Sequence, residues 1–114
     1  MNSEAFQTEM DRMWSSLNDE ALRLKDSFSA LDRLKGWYQR LDDGDREQAN
    51  CGIARWLRSE TEAKRFDAVA LVREFRISQA IPALRDLSER LAFQSTPGAP
   101  FEREKVDALL VELE

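Results

Sequence analysis

The most reactive side chain in this sequence is the thiol of Cys51, the one cysteine among 114 residues. A thiol becomes an effective nucleophile beside a base or a cationic site, and the chain contains no histidine to act as that base. The lack of histidine also excludes serine–histidine pairs, zinc-protease motifs and the Glu-x-x-His arrangement of di-iron proteins. We therefore predict that the protein is not an enzyme, that it has no catalytic residue, and that Cys51 is a small core or groove residue in a reduced compartment.

A second group of chemically active side chains consists of Asp42, Asp43, Asp45 and Glu47. The group lacks the alternating ligand order and the distal glutamate of a calcium loop. Carboxylates near a helix start accept bonds from free backbone amides and interact favourably with the helix dipole, so we interpret this segment as a capping turn. We expect no metal and no cofactor, and we retain Asp42, Asp43 and Asp45 as candidate contacts for a basic partner.

Four aromatic residues could surround a ligand: Trp14, Trp37, Tyr38 and Trp56. Aromatic side chains at helical spacing more often belong to a core. We therefore expect these four residues in the core, with Trp37 the most exposed of them.

Helices must position all of these side chains, because apolar residues recur at helical spacing and no segment shows sustained alternation of apolar and polar residues. The sequence predicts an all-α protein with helices at residues 3–17, 45–57, 59–76, 78–91 and 101–113. Residues 19–41 form one helix, or two helices separated near residues 26–29. The predicted helix starts are Asn18 as an N-cap, Ser59 with Glu62 as a capping box, and Ser78 as an N-cap followed by Pro82.

Each predicted helix has one apolar face, which is expected to form the core. The inward residues are Phe6, Met10, Met13, Trp14, Leu17, Leu24, Phe28, Leu31, Leu34, Tyr38, Leu41, Ala49, Ile53, Trp56, Leu57, Phe66, Val69, Val72, Phe75, Ile81, Leu84, Leu87 and Leu91. Residues 94–100 contain two prolines and a glycine and are expected to form a loop.

One stretch has a more specific pattern than amphipathicity. Arg65 is followed by Ala68, Val72 and Phe75, and then by the run Ala80, Ile81, Pro82, Ala83, Leu84. This pattern resembles the HEAT-like (armadillo-type) helical repeat, in which the first helix opens with Arg and small residues and the second begins with Ala-Ile-Pro-x-Leu. The resemblance is strongest over residues 59–91. It implies that the helix containing Arg65 lies antiparallel on the helix containing Ile81, with Ala68 allowing a close approach.

Related patterns lie 31 residues earlier, where Ile53 matches Leu84, and 40 residues later, where Lys105 matches Arg65. Repeats of this length typically stack side by side. The resemblance implies a single HEAT-like domain over residues 1–114. Its fold would be a short α-α superhelix of stacked antiparallel helix pairs, with about six to seven helices and with Arg65 and Lys105 forming ion pairs between units. Cys51 stands where the pattern has proline, and a plain helical bundle remains the alternative.

The charge balance restricts the choice of partners. A formal net charge of -5 and a pI near 4.9 disfavour binding that depends on neutralising many phosphates. The first 14 residues contain no apolar run, and no stretch approaches the roughly 18 apolar residues of a spanning helix. We expect a cytoplasmic protein without a signal peptide that binds neither nucleic acid nor membrane.

Stacking of the kind implied by the resemblance would place the helices at residues 45–57 and 78–91 side by side, with a shallow groove between them. The candidate partner-binding residues on their outward positions are Gly52, Arg55, Ala83, Asp86 and Arg90. Small residues beside Arg and Asp suit a protein contact. We predict a bacterial-type interaction module, a monomer or weak homodimer, that binds and regulates or neutralises one protein partner.

The most concrete version of this function is an immunity protein against a toxin, because a small acidic binder would be steered onto a basic toxin or nuclease. Two alternatives remain: a HEAT-like nucleic-acid-binding or base-excision protein, and a small lyase-type enzyme.

Overall fold

A computed structural model describes residues 3–24 and 27–114, and the side chains of residues 3, 21, 23, 24 and 27–29 lie outside that description. The described residues form six α-helices, a 3-10 turn at Ser78–Ala80, and no strand. The helices are α1 (Ser3–Leu24), α2 (Ser27–Gln39), α3 (Asp43–Leu57), α4 (Glu62–Phe75), α5 (Ile81–Ala92) and α6 (Ala99–Leu113). The prediction of an all-α protein with about six helices is confirmed. None of these helices is both long and apolar enough to cross a membrane.

Backbone contacts divide the chain into two units, Met1–Gly52 and Ile53–Glu114, with the division inside α3. The expectation of one domain over residues 1–114 stays a prediction, and each unit is described by itself below.

In the first unit, α1 and α2 form an antiparallel hairpin. Arg33 of α2 pairs with Glu20 of α1 at 2.6 Å, and the Phe6 and Trp37 rings lie 6.4 Å apart between centroids. The first helix ends at Leu24, so the predicted N-cap at Asn18 is wrong; the added turns bring Glu20 opposite Arg33. The predicted separation of two helices begins at Asp26, which lies outside the described residues, and α2 begins at Ser27.

In the second unit, the most extensive helix contact joins α5 to α6. These helices run antiparallel, since Arg85 pairs with Glu114 while Ser88 donates a hydrogen bond to Asp107. Helix α4 also approaches α6, and the antiparallel packing of α4 on α5 that the HEAT-like resemblance implied is not among the extensive helix contacts of the described residues. The bonds of Arg85 and Ser88, which lie one turn apart on α5, contribute to the α5–α6 contact.

Helix α4 runs parallel to α6, because the contacts between them advance in the same direction along both helices. Arg65 pairs with Glu102, and the next residue, Phe66, lies beneath the ammonium group of Lys105. In the chain order α5 lies between them, and it runs antiparallel to α6. The second unit therefore presents two parallel helices next to each other.

The core of the described residues agrees with most of the predicted apolar faces. The predicted residues found buried are Phe6, Met10, Trp14, Leu34, Tyr38, Ala49, Ile53, Trp56, Leu57, Val72, Leu84, Leu87 and Leu91. Helix α4 is the exception: its buried face is Arg65, Asp67, Ala68, Leu71 and Val72, and Phe66 is 55% exposed. Apolar spacing alone placed Phe66 inward, but an ion pair satisfies Arg65 in the inward position instead.

Three predicted helix starts in the second unit differ in detail from the structure. Helix α4 begins at Glu62 after an N-cap at Thr61, without a side-chain cap, and the Ser59 hydroxyl accepts a hydrogen bond from the Thr61 amide at 3.0 Å. Ser78 begins the 3-10 turn, and α5 follows with Pro82 in its first turn. Helix α6 begins at Ala99 rather than residue 101, since a proline at position 100 needs no amide partner in a first turn.

Candidate functional site

Arg65 and Glu102 join α4 to α6 through a two-pronged ion pair. Arg65 Nε lies 2.7 Å from Glu102 Oε2, and Nη2 lies 3.0 Å from Oε1. The third guanidinium nitrogen donates to the carbonyl oxygen of Ser59 at 3.0 Å. The hydrogen bonds to Glu102 raise the pKa of Arg65 against the opposing effect of burial, and the charges of Glu102 and Glu62 act in the same direction as those bonds. The prediction that Arg65 forms an ion pair is confirmed.

A groove lies between α4 and α6, with a volume of about 410 Å³. We call it the α4/α6 groove and define it by six of its lining residues: Phe66, Val69, Ala70, Arg73, Phe101 and Lys105. Its aromatic rings are open to solvent, since Phe101 is 70% exposed and Phe66 more than half exposed. The Arg65–Glu102 pair also lines the groove, so the groove combines an apolar surface with charged groups.

Lys105 occupies an unexpected position in the α4/α6 groove. An ion pair was predicted for it by analogy with Arg65, but its ammonium nitrogen lies 5.7 Å from the centroid of the Phe66 ring. A cation over an aromatic face is attracted by the ring quadrupole. The Lys105 charge therefore remains on the groove surface, next to an exposed ring.

A second surface surrounds the C-terminal end of α5. We call it the α5 patch and define it by Arg58, Asp86, Glu89, Arg90 and Phe93, which line one shallow depression. Arg58 pairs with Asp86 at 2.8 Å, and Arg90 donates to the carbonyl oxygen of Arg58 at 3.2 Å. Phe93 follows directly after α5 and is 90% exposed. The α5 patch thus brings together the predicted site residues Asp86 and Arg90 with Arg58 and Phe93, which the sequence reasoning missed.

The expected outward positions of Gly52 and Ala83 are wrong. Gly52 is buried beneath α1, and a Cβ atom at this position would lie 2.8 Å from Met10 Cε and 2.9 Å from Gln7 Oε1. Ala83 is buried on the face of α5 that also contains Leu84 and Leu87. Small residues suit an exposed groove, but they equally permit close helix packing, and the second role applies to Gly52. Arg55 is exposed in the last turn of α3, as expected.

The acidic turn has the predicted capping geometry. Helix α3 begins at Asp43, and the Asp42 carboxylate accepts a hydrogen bond from the Asp45 amide at 2.8 Å. Asp42 and Asp43 are exposed, and Asp45 is half-buried. Within the described parts of the chain, no group of three or more acidic, Cys or His residues could hold a metal ion.

The remaining candidates divide between surface and core. Cys51 is exposed, so of the two places predicted for it the core is wrong and a surface groove stays a prediction. Trp14, Trp56 and Tyr38 are buried and Trp37 is half-buried, as predicted. The Tyr38 hydroxyl donates to Asn50 Oδ1 at 2.7 Å, and burial raises the pKa of Tyr38 against the opposing effects of Arg46 and of this hydrogen bond.

The exposed phenylalanines are the main features that sequence reasoning missed. Phe93 and Phe101 flank the proline-containing turn between α5 and α6, and Phe66 was assigned to the core. Of these three residues, only Phe93 had a sequence signal of exposure. It follows the last inward residue of its helix and directly precedes the predicted loop.

Comparisons with known proteins gave no match: no family model, no curated protein and no solved structure is detectably similar to this chain.

Proposed function

We propose that this chain is a protein-interaction module that binds one partner through the α5 patch. The observation that supports this function best is Phe93, which is 90% exposed and lies beside Arg58 and Arg90. Exposed aromatic and arginine side chains are the residue types that most often dominate binding energy at protein interfaces. Both side chains of the Arg58–Asp86 ion pair are about half exposed, so the pair contributes little stability. Either side chain can therefore give up this ion pair for one with a bound protein.

The partner is a basic protein, and its most concrete form is a toxin or nuclease that this chain neutralises. The acidity of the chain is concentrated in residues 1–52, where acidic residues outnumber basic residues eleven to seven, against eleven to ten in residues 53–114. Asp42 and Asp43 add exposed negative charge at the start of α3. An acidic surface accelerates encounter with a basic partner through long-range attraction.

The architecture of the second unit is compatible with a HEAT-like repeat, which forms part of the same proposal. Two features favour it: α4 and α6 run parallel, as the first helices of successive repeats do, and Arg65 connects them. A regular repeat would provide a rigid support for the α5 patch.

The function is tested by quantitative copurification of a tagged chain from cells that contain its natural neighbours. We expect one basic protein in a 1:1 ratio with the unchanged chain, and a large reduction with Phe93→Ala or Arg90→Ala. Phe101→Ala is the matched control, since it removes an equally large exposed ring outside the α5 patch.

A partner retained equally by the Phe93→Ala and unchanged chains would contradict this site. Absence of any stoichiometric partner, together with failure to inhibit every basic nuclease tested, would contradict the function itself.

A further inference from the structure

We propose that the α4/α6 groove is a separate docking site for an acidic amphipathic helix of a protein partner. The groove does not include any residue of the α5 patch, so this inference stands independently of the function proposed above. Its basis is the combination of exposed apolar surface, cationic charge and shape in one place.

The apolar part of the α4/α6 groove consists of two aromatic rings and two smaller side chains. Phe66 on α4 and Phe101 on α6 are both more than half exposed, and Val69 and Ala70 are half-buried beside them. Large apolar side chains that cluster on the surface mark interaction sites more often than single exposed ones do. A partner that covers these rings with its own apolar side chains would remove them from water.

The charges of the groove determine the sign of that partner. Glu102 is bound to Arg65 through two hydrogen bonds, so these two charges offset each other, whereas Glu62, whose charge also acts on Arg65, leaves one negative charge at the groove. Arg73 and Lys105 are exposed, and Lys105 lies over a neutral ring. Two cations, Arg73 and Lys105, therefore stand against Glu62, so the groove offers one net positive charge to a ligand in a chain whose total charge is -5. Carboxylates on the partner would complement it.

The shape favours a helix as the bound element. Parallel helices α4 and α6 leave a channel along their axes, and from Phe66 to Arg73 this channel extends about 10 Å at 1.5 Å per residue. An amphipathic helix presents apolar side chains at positions i, i+3, i+4 and i+7, which cover about that length. Flanking Glu or Asp residues would then lie near Arg73 and Lys105.

The test uses two synthetic 14-residue peptides and the full chain. Both peptides have Leu at positions i, i+3, i+4 and i+7 of a helix; one has Glu at every flanking position and the other has Lys. Fluorescence anisotropy measures their affinities at low and at physiological salt. We expect the Glu peptide to bind at least about tenfold more tightly than the Lys peptide, with a preference that weakens as salt is added.

Variants locate the site. Phe101→Ala should weaken binding of the Glu peptide about tenfold, and the double variant Arg73→Glu, Lys105→Glu should reverse the preference between the peptides. Phe93→Ala is the matched control and should bind the Glu peptide like the unchanged chain. Circular dichroism of each variant confirms that it is folded.

Several results would overturn the proposal: no binding of the Glu peptide, equal binding of both peptides, or equal losses in Phe101→Ala and Phe93→Ala. Binding to vesicles of anionic phospholipid, without binding of the Glu peptide, would assign the groove to a lipid surface instead. Loss of copurification in Phe93→Ala with intact peptide binding would separate this site from the α5 patch.

Discussion

Arg65 of α4 lies inward beneath Glu102 of α6, and the two side chains share two hydrogen bonds of 2.7 and 3.0 Å. Only 7% of the Arg65 side chain and 18% of the Glu102 side chain are exposed. Their ion pair connects two parallel helices across 37 residues of sequence. It therefore stabilises a tertiary contact rather than a single helix.

Replacement of Glu102 by Gln is expected to destabilise the second unit by about 2–4 kcal/mol, because the Arg65 charge then stays partly buried without a counter-ion. Urea unfolding monitored by circular dichroism measures this effect. Asp86→Asn is the matched control: it removes the exposed ion pair with Arg58, which is expected to cost less than about 1 kcal/mol. Equal losses in the two variants would show that burial of Arg65 has no energetic consequence.

Replacement of Gly52 by Ala is expected to lower the stability of the first unit, although alanine favours helix by up to about 1 kcal/mol. The new methyl group would overlap the end of the Met10 side chain and approach Gln7. Because Met10 is 2% exposed, its side chain must move within a packed interior, and such overpacking typically costs about 1–3 kcal/mol. Thermal unfolding gives the sign of the net change. Gly44→Ala, in the first turn of α3, meets only Asp42 at 3.6 Å and should not lower the melting temperature. A melting temperature for Gly52→Ala at or above that of the unchanged chain would be inconsistent with the close contact of α1 and α3.

Replacement of Arg76 by Gly is expected to stabilise the protein by up to about 1 kcal/mol. Arg76 ends α4 with φ 49° and ψ 57°, a left-handed conformation that residues with a Cβ adopt at a cost and glycine adopts freely. The control is Arg73→Gly within α4, which should lower stability by about 1 kcal/mol. Chemical denaturation distinguishes the two directions, and a loss in Arg76→Gly would mean that the side chain has a compensating contact.

The burial of Tyr38 makes the free energy of unfolding depend on pH in the alkaline range. Burial raises the pKa of Tyr38 above its ordinary value of about 10. Because the folded pKa is the higher one, the contribution of neutral Tyr38 is complete below about pH 10 and is lost as pH rises through the folded pKa. Tyr38 is the one tyrosine of the chain, so phenolate absorbance reports on it alone. We expect titration in the native protein at higher pH than in urea.

The Tyr38→Phe variant is the control for this dependence. It loses the hydrogen bond to Asn50, but its stability should fall less steeply between about pH 10 and the pH at which the native protein titrates. Native and urea-unfolded protein that titrate together would argue against a buried hydroxyl.

Most of the helices could be predicted because apolar spacing reports directly on the buried face. Leu84, Leu87 and Leu91 follow that rule on α5, and so do Ile53 and Trp56 on α3. Helix α4 does not follow it, because the inward position of Arg65 depends on Glu102, which is distant in sequence. Spacing within one helix gives no information about a counter-ion on another.

The candidate site was only partly predictable for a related reason. Asp86 and Arg90 were identified, and both lie in the α5 patch. Gly52 was assigned to the surface, because a glycine that permits a close helix contact and a glycine that lines a groove have the same local sequence. Phe66 was assigned to the core by its helical spacing with Val69 and Val72, and its exposure follows from the rotation of α4 that places Arg65 inward.

The close packing of Met10 against Gly52 also gives the first unit a chemical reporter of its own opening. Met10 is 2% exposed and its sulfur lies against Gly52, so an oxidant has little access to it in the closed form. Peroxide should therefore oxidise Met10 only in molecules whose α1 has moved away from α3, and the resulting polar sulfoxide should prevent their return. The rate at which Met10 gains oxygen, followed by mass spectrometry, thus measures how often this unit opens.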